Sequence, residues 1–149
     1  MKILFAILLT LISTKECDSN KKESLIAQEE TVIIYQAISR GYFEEIKLEN
    51  KKLTYSNDRN REIYVTYPFS RKDWEDCLKL LSEIEISSLP HLEAPTSMRE
   101  VDGAAHANLT IIKGNKETLS NTFDHGHPPV SIKPLVEKLL SIKKMVIKQ

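Results

Sequence analysis

The sequence predicts an α+β fold, in which a mainly antiparallel sheet carries two helices on one face. Segments rich in β-branched and aromatic residues follow one another through short turns, and strands joined in this way pair antiparallel. Two other segments repeat apolar residues at helical spacing, so each has one face to bury. The order of four strands, a helix, two strands and a second helix therefore predicts a two-layer domain.

The first four strands are predicted within residues 31–67. β-branched residues fill segment 31–39, and Arg40-Gly41 interrupts it. The next two strands, 42–48 and 52–55, flank a short turn. The fourth strand, 62–67, follows the polar turn at residues 57–60 and ends before Pro68.

The register of the second and third strands follows from the turn between them. Asn50-Lys51 is a suitable two-residue turn, because Asn tolerates the positive φ that such turns require. This turn places Leu48 opposite Leu53 and Ile46 opposite Tyr55 on one face. Apolar residues then meet apolar residues, so the register is self-consistent.

Two amphipathic helices are predicted, one after Ser70 and one after Ser131. The segment from Ser70 to Asp73 resembles a capping box, and Ser131 is the expected cap of the second helix. We expect Cys77 to be a small buried hydrophobic residue and not a reactive thiol. The apolar stripes consist of Trp74, Cys77, Leu78, Leu81 and Ile84 in the first helix and of Leu135, Leu139, Ile142 and Val146 in the second.

A second hairpin is predicted between the helices. Its strands, 107–112 and 117–123, flank Gly114-Asn115, another favourable turn dipeptide. Residues equally distant from this turn face each other, which places His106 opposite Phe123 and beside Asp124.

Length, charge and cysteine content restrict the function. A chain of 149 residues suffices for one domain with its own core. The 21 Lys and Arg balance 21 Asp and Glu, which excludes the basic surface typical of nucleic-acid-binding proteins. Two cysteines exclude a disulfide-dense scaffold.

The N-terminal residues predict export. Met1-Lys2 precedes an apolar run over residues 3–12, a pattern typical of secretory leaders and too short to cross a bilayer. Cys17 stands where bacterial lipoproteins carry the lipidated cysteine, although Glu16 occupies a position where such signals have a small residue. We therefore divide the chain into a leader (1–16), a polar tether (17–30) and one α+β domain (31–149). The alternative is that the apolar run is a core strand or helix of the domain.

Five polar residues are predicted to gather near the open end of the second hairpin: Asp102, His106, Asp124, His125 and His127. Imidazole and carboxylate groups suit Zn²⁺ and related divalent ions, so one hypothesis is a metal site. A second is a general base, His106 or His125, oriented by Asp124. The third is that these residues only form turns, since their spacing matches no established zinc signature.

Four aromatic residues form a second candidate site: Tyr35, Tyr42, Phe43 and Tyr64. We expect them on the sheet face away from the helices. Tyrosine offers a large contact area with few rotamers to immobilise, so such a face suits a protein or glycan partner. Ordinary sheet packing is the alternative.

Three stretches carry a resemblance to a known family: Arg40-Gly-Tyr-Phe through Leu53-Thr-Tyr55, Ser70 to Leu81, and Phe123-Asp-His-Gly with Pro128-Pro129. They resemble a small domain of unknown function in exported proteins and lipoproteins of Bacteroidota-type bacteria. The resemblance implies the α+β fold and export, and it implies no activity. Many members carry a Cys-x-Gly-x-Cys-Pro turn after the first strand. Residues 39–44 contain no cysteine, so no redox or metal role of that turn carries over.

Together these patterns predict an exported, possibly lipid-anchored cell-envelope protein that acts as a non-catalytic binding module for a protein or glycan. No cofactor is expected apart from zinc at the histidine-rich segment, and Cys17 is the expected route of membrane contact. Two alternatives stay open. One is a divalent-metal-binding protein or hydrolase built on Asp102, His106, Asp124 and His125. The other is an immunity-type inhibitor of a secreted toxin.

Overall fold

The computed structural model describes residues 31–68 and 70–148. The predicted leader, the tether and Cys17 lie outside these residues. Within them the strands are β1 (Thr31–Ser39), β2 (Tyr42–Glu49), β3 (Lys52–Ser56), β4 (Val65–Pro68), β5 (His106–Lys113), β6 (Lys116–Leu119) and β7 (Phe123–Asp124), and the helices are α1 (Arg71–Ser82) and α2 (Lys133–Val146). Two 3-10 turns, Ile86–His91 and Met98–Val101, lie between α1 and β5.

The strands form one antiparallel sheet in the order β4-β3-β2-β1-β5-β6, and β7 also pairs with β5. Side chains from both helices and from the central strands share one buried cluster, so the helices cover one face of the sheet, here called the helix-covered face. This confirms the predicted α+β fold. In the described part of the chain, no helix is both long and apolar enough to span a bilayer.

The β2–β3 hairpin has the predicted register. Asn50 and Lys51 both adopt positive φ, at 49° and 58°. Leu48 pairs with Leu53, and Ile46 pairs with Tyr55. The turn chemistry and the alternation of apolar residues therefore agreed on one pairing.

The fourth strand is shorter than predicted, because it begins at Val65. The Asp58 carboxylate accepts hydrogen bonds from the backbone N–H groups of Asn60, Glu62 and Ile63. These donors are engaged in a loop and are not available for a strand ladder.

The α1 helix begins as predicted, and α2 does not. The Ser70 hydroxyl oxygen accepts a hydrogen bond from the Asp73 N–H at 3.0 Å. The predicted Ser131 cap is wrong, because the residue before α2 is Ile132, which makes no side-chain capping bond. Pro134 in the first turn has no N–H, so this helix has one fewer donor to satisfy.

Cys77 is buried in α1, as predicted, and burial raises the pKa of its thiol to about 12. The thiol therefore stays protonated at neutral pH and packs as a small apolar group.

The register between β5 and the following segment shifts by one residue. Phe123 lies opposite Ala107, so the predicted pairing with His106 is wrong. Ser120 interrupts the ladder: its N–H donates to the Leu109 carbonyl at 2.8 Å, and its hydroxyl oxygen accepts from the Leu109 N–H at 2.9 Å. A one-residue shift exchanges the two faces of a strand, and here it turns Phe123 into the core.

Candidate ligand-binding site

A buried polar network lies at one end of the helix-covered face. Ala37 pairs with Glu44 on one side and with Ala107 on the other, so these three residues form one row across the sheet. Two of the three side chains are single methyl groups. Their small size leaves room above the sheet for the longer polar side chains around them.

Glu44 is the centre of this network. It is only 2% exposed, and its Oε2 atom accepts hydrogen bonds from Lys143 Nζ at 2.5 Å and from the Tyr42 hydroxyl at 2.7 Å. The Lys143 ammonium also lies 5.5 Å from the centre of the Tyr55 ring. Glu44 Oε1 has no hydrogen-bond partner among the described residues. A buried ion pair with one unsatisfied oxygen adds little to stability, because desolvation of both charges offsets their attraction.

Tyr35 and His125 form the second half of the network. The Tyr35 hydroxyl and His125 Nδ1 lie 2.7 Å apart. The backbone N–H of Gly126 also donates towards the Tyr35 oxygen, and which of Tyr35 and His125 donates in their own bond depends on the tautomer of His125. Gly126 itself has a φ of 84°, a conformation that favours glycine.

The environment keeps these groups uncharged near neutral pH. Burial lowers the pKa of His125, and the nearby Lys143 charge lowers it further while Glu44 opposes the shift. Burial also raises the pKa of Tyr35 and of Tyr42, and Glu44 adds to both shifts. At pH 7 the three rings of the network are therefore uncharged.

A pocket of about 350 Å³ opens beside the network, lined by Ser39, Tyr42, His125 and residues 102–105. Tyr42 is 37% exposed, and its ring centre lies 5.5 Å from that of His125. Tyr35 lies behind His125, with 5.9 Å between the ring centres. The polar network therefore holds, from behind, the two rings that the pocket presents to solvent.

Asp124 positions the opposite wall of the pocket. Its Oδ2 atom accepts from the Thr96 hydroxyl at 2.6 Å and from the Met98 N–H at 2.7 Å. Its Oδ1 atom accepts from the N–H and the guanidinium of Arg99, both at 3.0 Å. Burial alone would raise the pKa of this carboxyl, but these hydrogen bonds outweigh burial and hold the pKa well below its ordinary value. Asp124 thereby anchors the start of the 3-10 turn Met98–Val101.

The chain turns sharply from this 3-10 turn into the pocket wall. Asp102 has a φ of 58°, and the Gly103 N–H donates to the Met98 carbonyl at 2.8 Å. A Cβ atom on Gly103 would lie 2.7 Å from Met98 Cε and 3.2 Å from the Met98 carbonyl oxygen. The close approach of this glycine to Met98 therefore determines where residues 102–105 line the pocket.

The five residues of the metal hypothesis occupy different environments. Asp102 and His125 both line the pocket, whereas the Asp124 carboxylate is engaged by the 96–99 loop. His106 and His127 are exposed. In the described part of the chain, no group of three or more His, Cys, Asp or Glu could hold a metal ion. The zinc hypothesis stays a prediction, without a ligand set among these residues.

The general-base hypothesis requires the Asp124 carboxylate to orient a histidine ring. In the structure this carboxylate is bonded to other groups. All four hydrogen bonds to its carboxylate come from Thr96, Met98 and Arg99. The partner of His125 is Tyr35. Asp124 is the cross-strand partner of His106, but its carboxylate is engaged by the 96–99 loop.

The four aromatic residues of the second candidate site do not form one outer surface. Tyr35 is fully buried on the helix-covered face, a correction of the expected placement. Tyr42 lines the pocket. Phe43 is buried, with the Arg61 guanidinium 5.9 Å from its ring centre, and Tyr64 is 63% exposed in the loop before β4.

Sequence reasoning missed Glu44, Lys143, Ser39 and residues 103–105. One signal was available for Glu44. It occupies the same side of β2 as Ile46 and Leu48, so the predicted alternation already placed a charge at an inward position. Charged residues are rarely buried without a partner, which makes such a position a candidate for a functional role.

No family model matches this chain, and no curated protein matches it. The chemistry of the pocket is therefore the basis for inferring function. The pocket offers a carboxylate at Asp102, an imidazole at His125 and an aromatic ring at Tyr42. The Ser39 hydroxyl has no hydrogen-bonded base among the described residues.

Proposed function

We propose that this chain is a non-catalytic binding module of the cell envelope, and that its ligand occupies the pocket between Tyr42, His125 and residues 102–105. One observation carries the proposal. The buried Glu44–Lys143 pair and the Tyr35 hydroxyl hold Tyr42 and His125 at the mouth of a pocket. Costly buried polar groups that fix exposed rings are typical of a preorganised binding site.

The export part of the proposal rests on sequence. The leader pattern of residues 1–16, the cysteine at position 17 and the family resemblance all favour an envelope location. Cell fractionation tests export, and labelling with radioactive palmitate tests lipidation. We expect the label on the natural chain and none on Cys17→Ser. Recovery of the intact chain from the cytosol would contradict the location.

The binding part is tested by affinity capture from envelope extract, with two tyrosine variants compared. Tyr42→Ala removes a pocket ring, and Tyr64→Ala removes an equally large exposed ring outside the pocket. We expect Tyr42→Ala to lose the captured protein or glycan by about tenfold or more, since aromatic residues at a binding site often contribute over 1.4 kcal/mol. Tyr64→Ala should bind normally. Equal binding by both variants would reject the pocket as the site.

A further inference from the structure

We infer that the pocket recognises an organic cation, an ammonium group carried by its ligand. This inference rests on the proposed function, because it names the ligand chemistry of the same pocket. It combines the charge of the lining residues, the state of the Tyr42 ring and the uncharged imidazole of His125 beside that ring.

The lining residues carry negative charge. Asp102 is the only one of them with a formally charged side chain, since the others are serine, tyrosine, histidine, glycine and alanine. Asp102 is exposed, so its carboxylate is free to meet a ligand in solvent. The nearest ammonium of the network, Lys143, is neutralised by Glu44. Among the described lining residues no side chain is cationic, so an anionic ligand would find no partner charge there, whereas a cation finds a carboxylate.

The Tyr42 ring is suited to bind a cation. Its hydroxyl donates a hydrogen bond to the Glu44 carboxylate, which is itself buried. Donation to an anion increases the electron density of the phenol ring and so strengthens the attraction between the ring face and a cation. His125 beside it is held neutral by burial, so it does not repel a positive ligand at pH 7.

One nearby cation opposes binding. The Arg59 guanidinium donates hydrogen bonds to the backbone carbonyls of Ser39 and Arg40, next to one edge of the pocket. Its charge is exposed and therefore screened by salt. We expect it to weaken the affinity for a small cation without reversing the preference, so an isolated ammonium should bind weakly.

The test uses the full chain and two probes of similar size, tetramethylammonium chloride and neutral tert-butanol. Binding is followed by NMR from the amide shifts of residues 102–105. We expect saturable shifts with tetramethylammonium, with Kd on the order of millimolar, and at least about tenfold weaker binding of tert-butanol. Equal binding of the two probes, or no saturable binding of tetramethylammonium, would overturn the inference.

Variants of the lining residues test which side chains contact the cation. Asp102→Asn removes the exposed carboxylate and should weaken tetramethylammonium binding by roughly threefold or more. Tyr42→Phe keeps the ring but removes the hydrogen bond to Glu44, and we expect a smaller loss, of about twofold. Tyr64→Phe is the matched control and should bind as the natural chain does. Unchanged affinity in both Asp102→Asn and Tyr42→Phe would overturn the inference.

Two further probes distinguish the source of the ammonium. Nα-acetyl-lysine amide represents a protein partner, and glucosamine represents an amino sugar. The probe that binds more tightly identifies the source of the ammonium. If neither probe binds, the inference is overturned. If capture from envelope extract depends on Tyr42 while no ammonium probe binds, the pocket remains the binding site and only its ligand class is wrong.

Discussion

Glu44 occupies a position where an apolar residue would pack well. Ile46 and Leu48 follow it on the same face of β2, and both are fully buried. Replacing a buried ion pair with apolar residues of similar volume is often neutral or stabilising, so stability alone does not explain Glu44 and Lys143. Their contacts offer an explanation, because the Lys143 ammonium and the Tyr42 hydroxyl both donate to the same Glu44 carboxylate oxygen. At the scale of single residues, we therefore expect this pair to position the Tyr42 ring.

His125 should make stability depend on pH. Its pKa in the folded chain is lowered by burial, whereas in the unfolded chain it lies near the ordinary value of about 6.5. As pH falls through the range between these two pKa values, the unfolded chain takes up the proton first, so the free energy of unfolding decreases. We expect urea denaturation to show this loss as pH falls below about 7.5.

The control for this prediction is a pair of variants. His125→Gln removes the buried imidazole and should flatten the pH dependence, while His91→Gln removes an exposed one and should leave it unchanged. The same slope in His125→Gln as in the natural chain would show that another group is responsible.

At the scale of elements, turn signals and apolar alternation predicted the β2–β3 hairpin down to its register, because both are local properties. The β5–β6 hairpin began equally well, with Lys113 paired to Lys116. The prediction failed after Leu119, where Ser120 uses its side chain as a ladder acceptor. Nothing in the alternation pattern signals such a substitution of side chain for backbone.

The register shift after Leu119 also sets the position of Asp124. A variant tests whether this residue anchors the 3-10 turn Met98–Val101. Asp124→Asn keeps the shape but removes the charge that faces Arg99, and its amide places donors against N–H groups. Loss of one partner from a buried charged network costs about 3 kcal/mol of unfolding free energy. We also expect faster amide hydrogen exchange in residues 98–105. Asp58→Asn makes the same change in the loop before β4, which does not contact residues 98–105 in the described hydrogen bonds, and should leave that exchange unchanged.

Failure of Asp124→Asn to alter exchange in residues 98–105 would contradict the anchoring role. A loss of stability with unchanged local exchange would assign Asp124 to the core alone and not to the pocket wall.

At the scale of the whole molecule, the sequence predicted the layers and the order of elements but not the site. The fold follows from local periodicity and turn chemistry, which one chain displays directly. The site joins residues far apart: Tyr35 meets His125 across 90 positions, and Glu44 meets Lys143 across 99. The histidine-rich segment was a useful indication, since Asp102 and His125 do line the pocket. Their partners became visible only when the chain was folded.

The pocket as binding site is tested most directly by an NMR titration of the labelled full chain with the partner captured from envelope extract. We expect the largest amide shifts at Ser39, Tyr42, His125 and residues 102–105, and loss of these shifts in Tyr42→Ala. Shifts confined to the sheet edges at β4 and β6, with the pocket amides unmoved, would contradict it.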